Sequence, residues 1–216
     1  MLKADLHVHS CYSPDSGSSL EAITGRCTEM GINCIALCDH GTVEGALKLG
    51  AAAPFRVIVA EEILTPKGEI MGMFLKETIP SNISVKDAIS RIRAQGGLVC
   101  IPHPCDRFRP SAMDGETLES IAGEIDIIET FNARTIPFQD TNRPGNFARR
   151  HNLLAGAGSD AHTISEIGHA YVEMPDFESP EGFLKSLAEG RIHCSRSSVF
   201  VHFRSLGHKL RKKILS

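Results

Sequence analysis

The chain reads as an α/β barrel of about seven strand-helix units, and three observations predict it. Short apolar runs alternate with amphipathic stretches along all 216 residues, and no Pro/Ser-rich linker or low-complexity tract divides them. Capping and turn residues punctuate each change of period. Residues able to hold metal recur where the expected strands end, and in a parallel β-α barrel those ends converge on one face. A repeated β-α-β order implies a mainly parallel sheet, either closed as a barrel or open and doubly wound. The chain is shorter than the roughly 250 residues typical of eight units, which favours a barrel of about seven.

The elements follow in order. Residues 2–7 form the first strand. Ser19 caps a helix in which Leu20, Ile23, Cys27 and Met30 keep helical spacing until Gly31 stops it. Asn33 to Cys38 form the second strand, a short helix spans Val43–Leu49, and Arg56 to Ile63 form the third strand. Pro66-Lys67-Gly68 then turns the chain into a hairpin through Leu75. Ser84 and Asp87 have capping-box-like spacing before Ala88, Ile89 and Ile92, and Gly96-Gly97 ends that helix ahead of strand Leu98–Ile101. A helix at Gly115–Ala122, strand Ile125–Glu129, a helix at Arg143–Arg150 and strand Leu153–Ala157 continue the rhythm. Tyr171–Met174 is a short strand, Ser179-Pro180 opens a helix through Ala188, and Arg191–Cys194 is the last strand.

Composition narrows the class. Hydrophobic content of 42% and charged content of 23% describe an ordinary soluble globular protein. No apolar run reaches the roughly 18 residues of a membrane span, and there is no signal pattern, so the expected location is cytoplasmic. Seven cysteines, with no Cys-x-x-Cys pair, read as reduced and mostly core thiols; Cys11, Cys38 and Cys105 lie near histidine motifs. A net charge of −3 argues against a stable nucleic-acid complex. Residues 1–203 are expected to form the barrel domain. Residues 204–216 carry five basic residues and no acid, with Leu206, Leu210 and Ile214 at helical spacing, so a terminal amphipathic helix packed on the same domain is expected.

Chemistry concentrates at the strand ends. His7 and His9, at i and i+2, project from one face of the first strand and can grip one ion. Asp39-His40 end the second strand, Glu61-Glu62 the third and His103 the fourth; Glu129 ends the fifth, and Asp160 with His162 follows the sixth. Strand alternation lets only one of Glu61 and Glu62 point inward. Asp5, Asp39, Glu61, Glu129 and Asn132 are candidates for supporting the ligands, Asp5 by fixing a histidine tautomer. Asp15, in Ser13-Pro14-Asp15-Ser16-Gly17, reads equally well as a plain turn.

These motifs, taken in order, resemble the PHP (polymerase and histidinol phosphatase) family of metal-dependent phosphoesterases. The resemblance rests on Asp-Leu-His-Val-His-Ser at 5–10, Ser-Pro-Asp at 13–15, Asp39-His40, Glu62, His103-Pro104 and Gly-Ser-Asp-Ala-His at 158–162. It implies a distorted, TIM-barrel-like (β/α)7 barrel with two to three divalent ions, Mn, Zn or Fe, at the C-terminal ends of the strands. His7, His9, Glu62 and Asp160 would hold one ion, with Glu62 bridging to a second that also takes His103; Asp15, His40 and His162 would hold a third. Relatives with a full trinuclear site carry a further histidine on the hairpin after the bridging glutamate, and Met71 stands in its place here. A thioether is a poor ligand for a hard ion, so Glu61, Glu69 or water must supply that contact.

The expected activity is hydrolysis of phosphate monoesters on a small metabolite or nucleotide, by hydroxide generated from metal-coordinated water. His162 and Asp160 are the candidate catalytic residues, with His162 or a metal-bound water as donor to the leaving alkoxide. Arginine suits phosphate, and Arg134, Arg107 and Arg196 are the substrate-binding candidates. The alternatives are a nuclease or cyclic-phosphate diesterase, an amide or C–N hydrolase on the same barrel face, and a noncatalytic metal-binding module.

Overall fold

The computed structural model describes residues 1–136 and 142–196. Among these residues one sheet contains β1 (Leu2–Val8), β2 (Cys34–Leu37), β3 (Arg56–Thr65), β4 (Gly68–Met73), β5 (Leu98–Ile101), β6 (Ile127–Asn132), β7 (Leu154–Gly158), β8 (Ala170–Met174) and β9 (Arg191–Cys194). Their spatial order is β7-β6-β5-β4-β3-β2-β1-β8-β9. Helices α1 (Leu20–Met30), α2 (Glu44–Ala52), α3 (Val85–Ala94), α4 (Gly115–Ser120), α5 (Arg143–His151) and α6 (Pro180–Ala188) lie in the connections. The caps are those the residue types dictate. Ser19 accepts from the Ala22 amide, Ser84 accepts from the Asp87 amide, and Gly31 ends α1 at φ 67°, where glycine carries no Cβ penalty.

β1 to β7 curl into a nearly closed barrel. Val8 bridges Ala161, just beyond β7, and the His9 amide donates to the Ala161 carbonyl at 2.9 Å. Gly158 permits this approach, because a Cβ there would lie 2.2 Å from His7 Cβ. The same edge of β1 is shared: its first half, Leu2 to Ala4, pairs instead with β8. The β8-β9 hairpin therefore extends the sheet outside the ring.

The sheet is less parallel than the β-α rhythm predicts. β1-β2, β2-β3, β5-β6 and β6-β7 are parallel, whereas β3-β4, β4-β5, β1-β8 and β8-β9 are antiparallel. The cause is local. Only Pro66 and Lys67 separate β3 from β4, too few for the crossover a parallel pair needs, and Thr65 Oγ1 ties the turn by donating to the Gly68 carbonyl.

Ala4, Leu6, Ala36, Ile58, Ala60, Met71, Met73, Ile127 and Ala157 fill the barrel interior together with Phe183 of α6. The outward faces of the strands are covered by helices, with Ile63, Ile70, Val99 and Ile101 packing with Ile89 and Ile92 of α3. Val8, Ile35 and Leu37 pack in the same way against Ile23 and Cys27 of α1. Cys27, Cys34, Cys38 and Cys100 are buried thiols. Among the described residues no helix is long and apolar enough to cross a membrane. The expected terminal helix at 204–216 and the domain boundary at 203 lie outside the described residues.

Candidate metal centre

Two irregularities in the strands aim side chains into the mouth of the barrel. In β1, Ala4 and Leu6 face the interior, and simple alternation would send His7 outward. The register slips by one residue between Asp5 and Val8, so that Val8 turns out to the helices and His7 turns in. A second slip in β6, between Glu129 and Phe131, accompanies Glu129 and Asn132 at the same mouth. Asp160 (φ 54°) and His103 (φ 28°) both adopt the left-handed backbone region that L-residues avoid. Such strain gathers at functional sites because surrounding contacts must enforce it.

Carboxylate oxygens of Glu62 and Asp160 approach the facing Nε2 atoms of His7 and His9. His7 Nε2 lies 3.1 Å from His9 Nε2, 3.3 Å from Glu62 Oε1 and 3.5 Å from Asp160 Oδ1. His9 Nε2 lies 3.3 Å from Glu62 Oε2 and 3.5 Å from Asp160 Oδ1. A tetrahedral ion with ligands at roughly 2.0–2.1 Å separates those ligands by about 3.3–3.4 Å, so the spacing fits a divalent ion. The outer nitrogens are already engaged. His7 Nδ1 pairs with Glu129 Oε1 at 3.0 Å and His9 Nδ1 with Ser13 Oγ at 3.1 Å, which turns both inner lone pairs toward the same point. Asp160 Oδ1 is buried without a hydrogen-bond partner. Two imidazole lone pairs beside an unpartnered carboxylate oxygen call for a cation.

The remaining candidates surround this point. His103 Nε2 is 3.1 Å from Glu62 Oε1. His162 donates from Nδ1 to the Asp160 carbonyl at 2.9 Å, leaving Nε2 facing Asp15 Oδ1 at 3.4 Å. His40 stands between two groups, with Nε2 3.5 Å from Asp15 Oδ2 and Nδ1 3.3 Å from Glu62 Oε2. The ring centroid of His9 is 4.2 Å from that of His162 and 4.7 Å from that of His40. Crowding splits their proton affinities. Burial alone would lower His9, but the Asp160 and Glu62 carboxylates raise it to about 9; burial and the charge on His9 drive His162 down to about 3. The His162 ring is therefore neutral near pH 7, with its proton on Nδ1.

Several supporting roles are redistributed. Asp5 fixes no imidazole: its carboxylate accepts the amides of Ser159 at 2.8 Å and Gly168 at 3.0 Å, latching β1 to the loops that follow β7. Asp39 likewise accepts the Ser10 amide and hydroxyl, at 2.7 and 2.6 Å. Glu61 points away from the barrel and accepts the Ile79 amide, and burial raises its pKa to about 7. Glu129 does what Asp5 was expected to do, holding His7 Nδ1 while accepting the His103 amide at 2.6 Å and the Asn132 side chain at 2.9 Å. Asn132 also donates to Asp160 Oδ2 at 3.1 Å. Of the cysteines near histidine motifs, only Cys38 brings its sulfur within 4.8 Å of the His7 and His9 donor atoms; Cys11 is exposed and Cys105 half-buried.

A cavity of about 650 Å³ opens over the donors, lined among others by Asp15, His40, Glu62, Glu69, Arg109, Arg134 and His162. Arg134 is buried in its wall, with its guanidinium 3.4 Å from Glu166 and 3.5 Å from the Asp160 carbonyl. Arg107 is exposed, and it is Arg109, two residues on, that turns inward to pair with Asp160 Oδ2. Asp106 sets this choice, since it accepts the Phe108 amide and faces Arg109 Nε at 3.5 Å. Arg196 is exposed too, and borders a small hollow behind His103 rather than the main cavity. Sequence reasoning left out Phe108, whose ring is 61% exposed on the cavity rim.

Comparison with known proteins agrees with the geometry. The sequence profile of the PHP domain matches residues 5–63, and one described as PHP-associated matches residues 142–192. A solved two-domain protein from Bacteroides vulgatus, containing a predicted PHP-like metal-dependent phosphoesterase, superposes with a TM-score of 0.68 at 19% identity, covering 98% of this chain and 69% of that one. An amidohydrolase from Chromobacterium violaceum, solved with bound sulfate and no metal, gives a TM-score of 0.62 at 18% identity over 80% of this chain and 92% of its own. These two establish the fold alone. An uncharacterized protein of Methanocaldococcus jannaschii is 35% identical over 196 residues, 86% of this chain and 79% of that protein. Together with the profile match across the His7, His9, His40 and Glu62 motifs, that relationship makes this chain a member of the PHP domain family.

Proposed function

We propose that the protein is a metal-dependent phosphatase acting on phosphate monoesters of a small metabolite or nucleotide. The observation that carries this reading is the pairing of four converging donors with two cavity arginines. Asp160 joins the two halves, with Oδ1 toward His7 and His9 and Oδ2 toward Arg109. Divalent ions held by His7, His9, Glu62 and Asp160 would supply Lewis-acid charge and acidify a water toward neutral pKa. The protein's own groups do the rest. Arg109 and Arg134 present planar forks that match two phosphoryl oxygens and offset their charge. His162, oriented by the Asp160 carbonyl, turns Nε2 toward Asp15, where with His40 the two would hold a further ion. Glu129 and Asn132 hold the His7 ring and the Asp160 carboxylate against displacement while charge develops. Protonation of the leaving oxygen falls to water in the open cavity.

The exposed Phe108 on the rim supports a substrate that carries a flat or apolar portion beyond its phosphate. The test is release of product from a panel of phosphomonoesters, phosphodiesters and amides, with Mn, Zn and Fe supplied separately. Turnover of monoesters above the other classes is expected. Preference for diesters or amides would replace this reading, and no turnover with any metal would overturn it.

A further inference from the structure

Met71 leaves the second ion of a PHP site without its hairpin imidazole, and the neighbouring strand position supplies a carboxylate. Glu69 and Met71 share one face of β4, since they lie two residues apart on a strand. Met71 points down into the apolar barrel interior and Glu69 up toward the mouth. The Glu69 carboxylate lies alongside that of Glu62. One end of the pair faces His103 Nε2, at 3.1 Å from Glu62 Oε1 and 3.6 Å from Glu69 Oε2. The other end faces His40 Nδ1, at 3.3 Å from Glu62 Oε2 and 3.5 Å from Glu69 Oε1. These separations match the ligand spacings of the first donor set. We propose that Glu69 is a metal ligand, completing with Glu62, and with His40 or His103, a second ion site that shares Glu62 with the first.

Glu69 is built into this position. Its amide donates to the Ser111 carbonyl at 2.8 Å, and Gly68 before it, at φ 124°, packs so closely on Met113 that a Cβ would lie 2.6 Å from Met113 Cα. The backbone is thus clamped on both sides of the start of β4. The two carboxylates lie side by side between His40 and His103, where a bound cation would offset their mutual repulsion. The consequence for ion choice follows from donor hardness. Exchanging an imidazole for a carboxylate shifts the second site toward oxygen-preferring ions such as Mn²⁺.

The inference rests on the metal-dependent reading of the site, and its test does not use activity. Mn²⁺ alone is titrated into metal-stripped protein, and electron paramagnetic resonance distinguishes isolated ions from a coupled pair sharing Glu62. The wild type is expected to bind a coupled pair. Glu69→Gln should retain a single uncoupled ion, which also reports that the variant is folded, and Met71→His added to Glu69→Gln should restore the pair. A coupled pair in Glu69→Gln, or its absence from the wild type, would overturn the proposal. Should the pair form as expected and no phosphate ester be hydrolysed, the phosphatase reading fails while the role of Glu69 stands.

Discussion

The floor and the rim of the cavity are made differently. The floor is built on strands and their ends: His7 and Glu62 lie in β1 and β3, His9 and Asp160 just beyond β1 and β7, and all four are almost fully buried. The rim is loop: Arg109, Phe108 and Ser111 belong to the connection after β5, which Asp106 and the Glu69 amide hold in place. Barrel enzymes divide labour in this way because a rigid scaffold can fix reactive chemistry while loops vary the ligand. The floor should therefore fail as a unit and the rim by degrees.

Three substitutions or conditions sharpen that contrast. The largest effect is expected from Gly158→Ala, which replaces no proposed ligand. Its methyl group would overlap His7 Cβ, so His7 must shift; about 1–3 kcal/mol of stability and the first bound ion should be lost together, as read by thermal unfolding and elemental analysis. Arg109→Ala should leave the ion content unchanged while raising KM for a phosphomonoester by about 10–100-fold, the loss of one charged hydrogen bond. If ion content falls instead, Arg109 belongs to the floor.

The smallest expected effect is on the pH dependence of stability in metal-stripped protein. His162 has a folded pKa near 3, below its ordinary 6.5, so its protonation opposes folding and stability rises with pH between about 3 and 6.5. His9 has the opposite sign. Its folded pKa near 9 gives stability that is full below 6.5 and is lost as pH rises through 9. Saturating Mn²⁺ should remove the alkaline decline, because a ligating His9 has already given up its proton. Melting curves across pH with chelator and with Mn²⁺ check both limbs; an alkaline decline that persists with metal would exclude His9 as a ligand.

The sequence made the floor legible and the rim only partly so. The His-x-His spacing, the strand-end acids and the glycine and serine caps are local signals, and their placement at converging strand ends is a property of the fold class. Which face a residue takes near an irregularity is not local. The slip in β1 that turns His7 inward depends on pairing with β2, and the antiparallel pairing of β5 onto the legible β3-β4 hairpin depends on where α3 returns the chain. Arg109 outranks Arg107 because Asp106 organises the loop, a tertiary detail that charge counting cannot reach. Asp5 sits beside the histidines in sequence yet serves backbone amides far along the chain. Glu69 was readable as a possible substitute for the missing histidine, but only strand register tells it apart from Glu61.

The Asp5 latch also bears on how long the folded chain survives. It joins positions 154 residues apart, and His7 and Asp160 meet across the same seam. Closing so long a loop carries an entropic cost, so the donor set is expected to assemble late in folding and to open early in unfolding. An ion seated there would act as a clasp on the final closure. It would lengthen the lifetime of the native barrel by slowing unfolding, with little effect on the rate at which the barrel first forms.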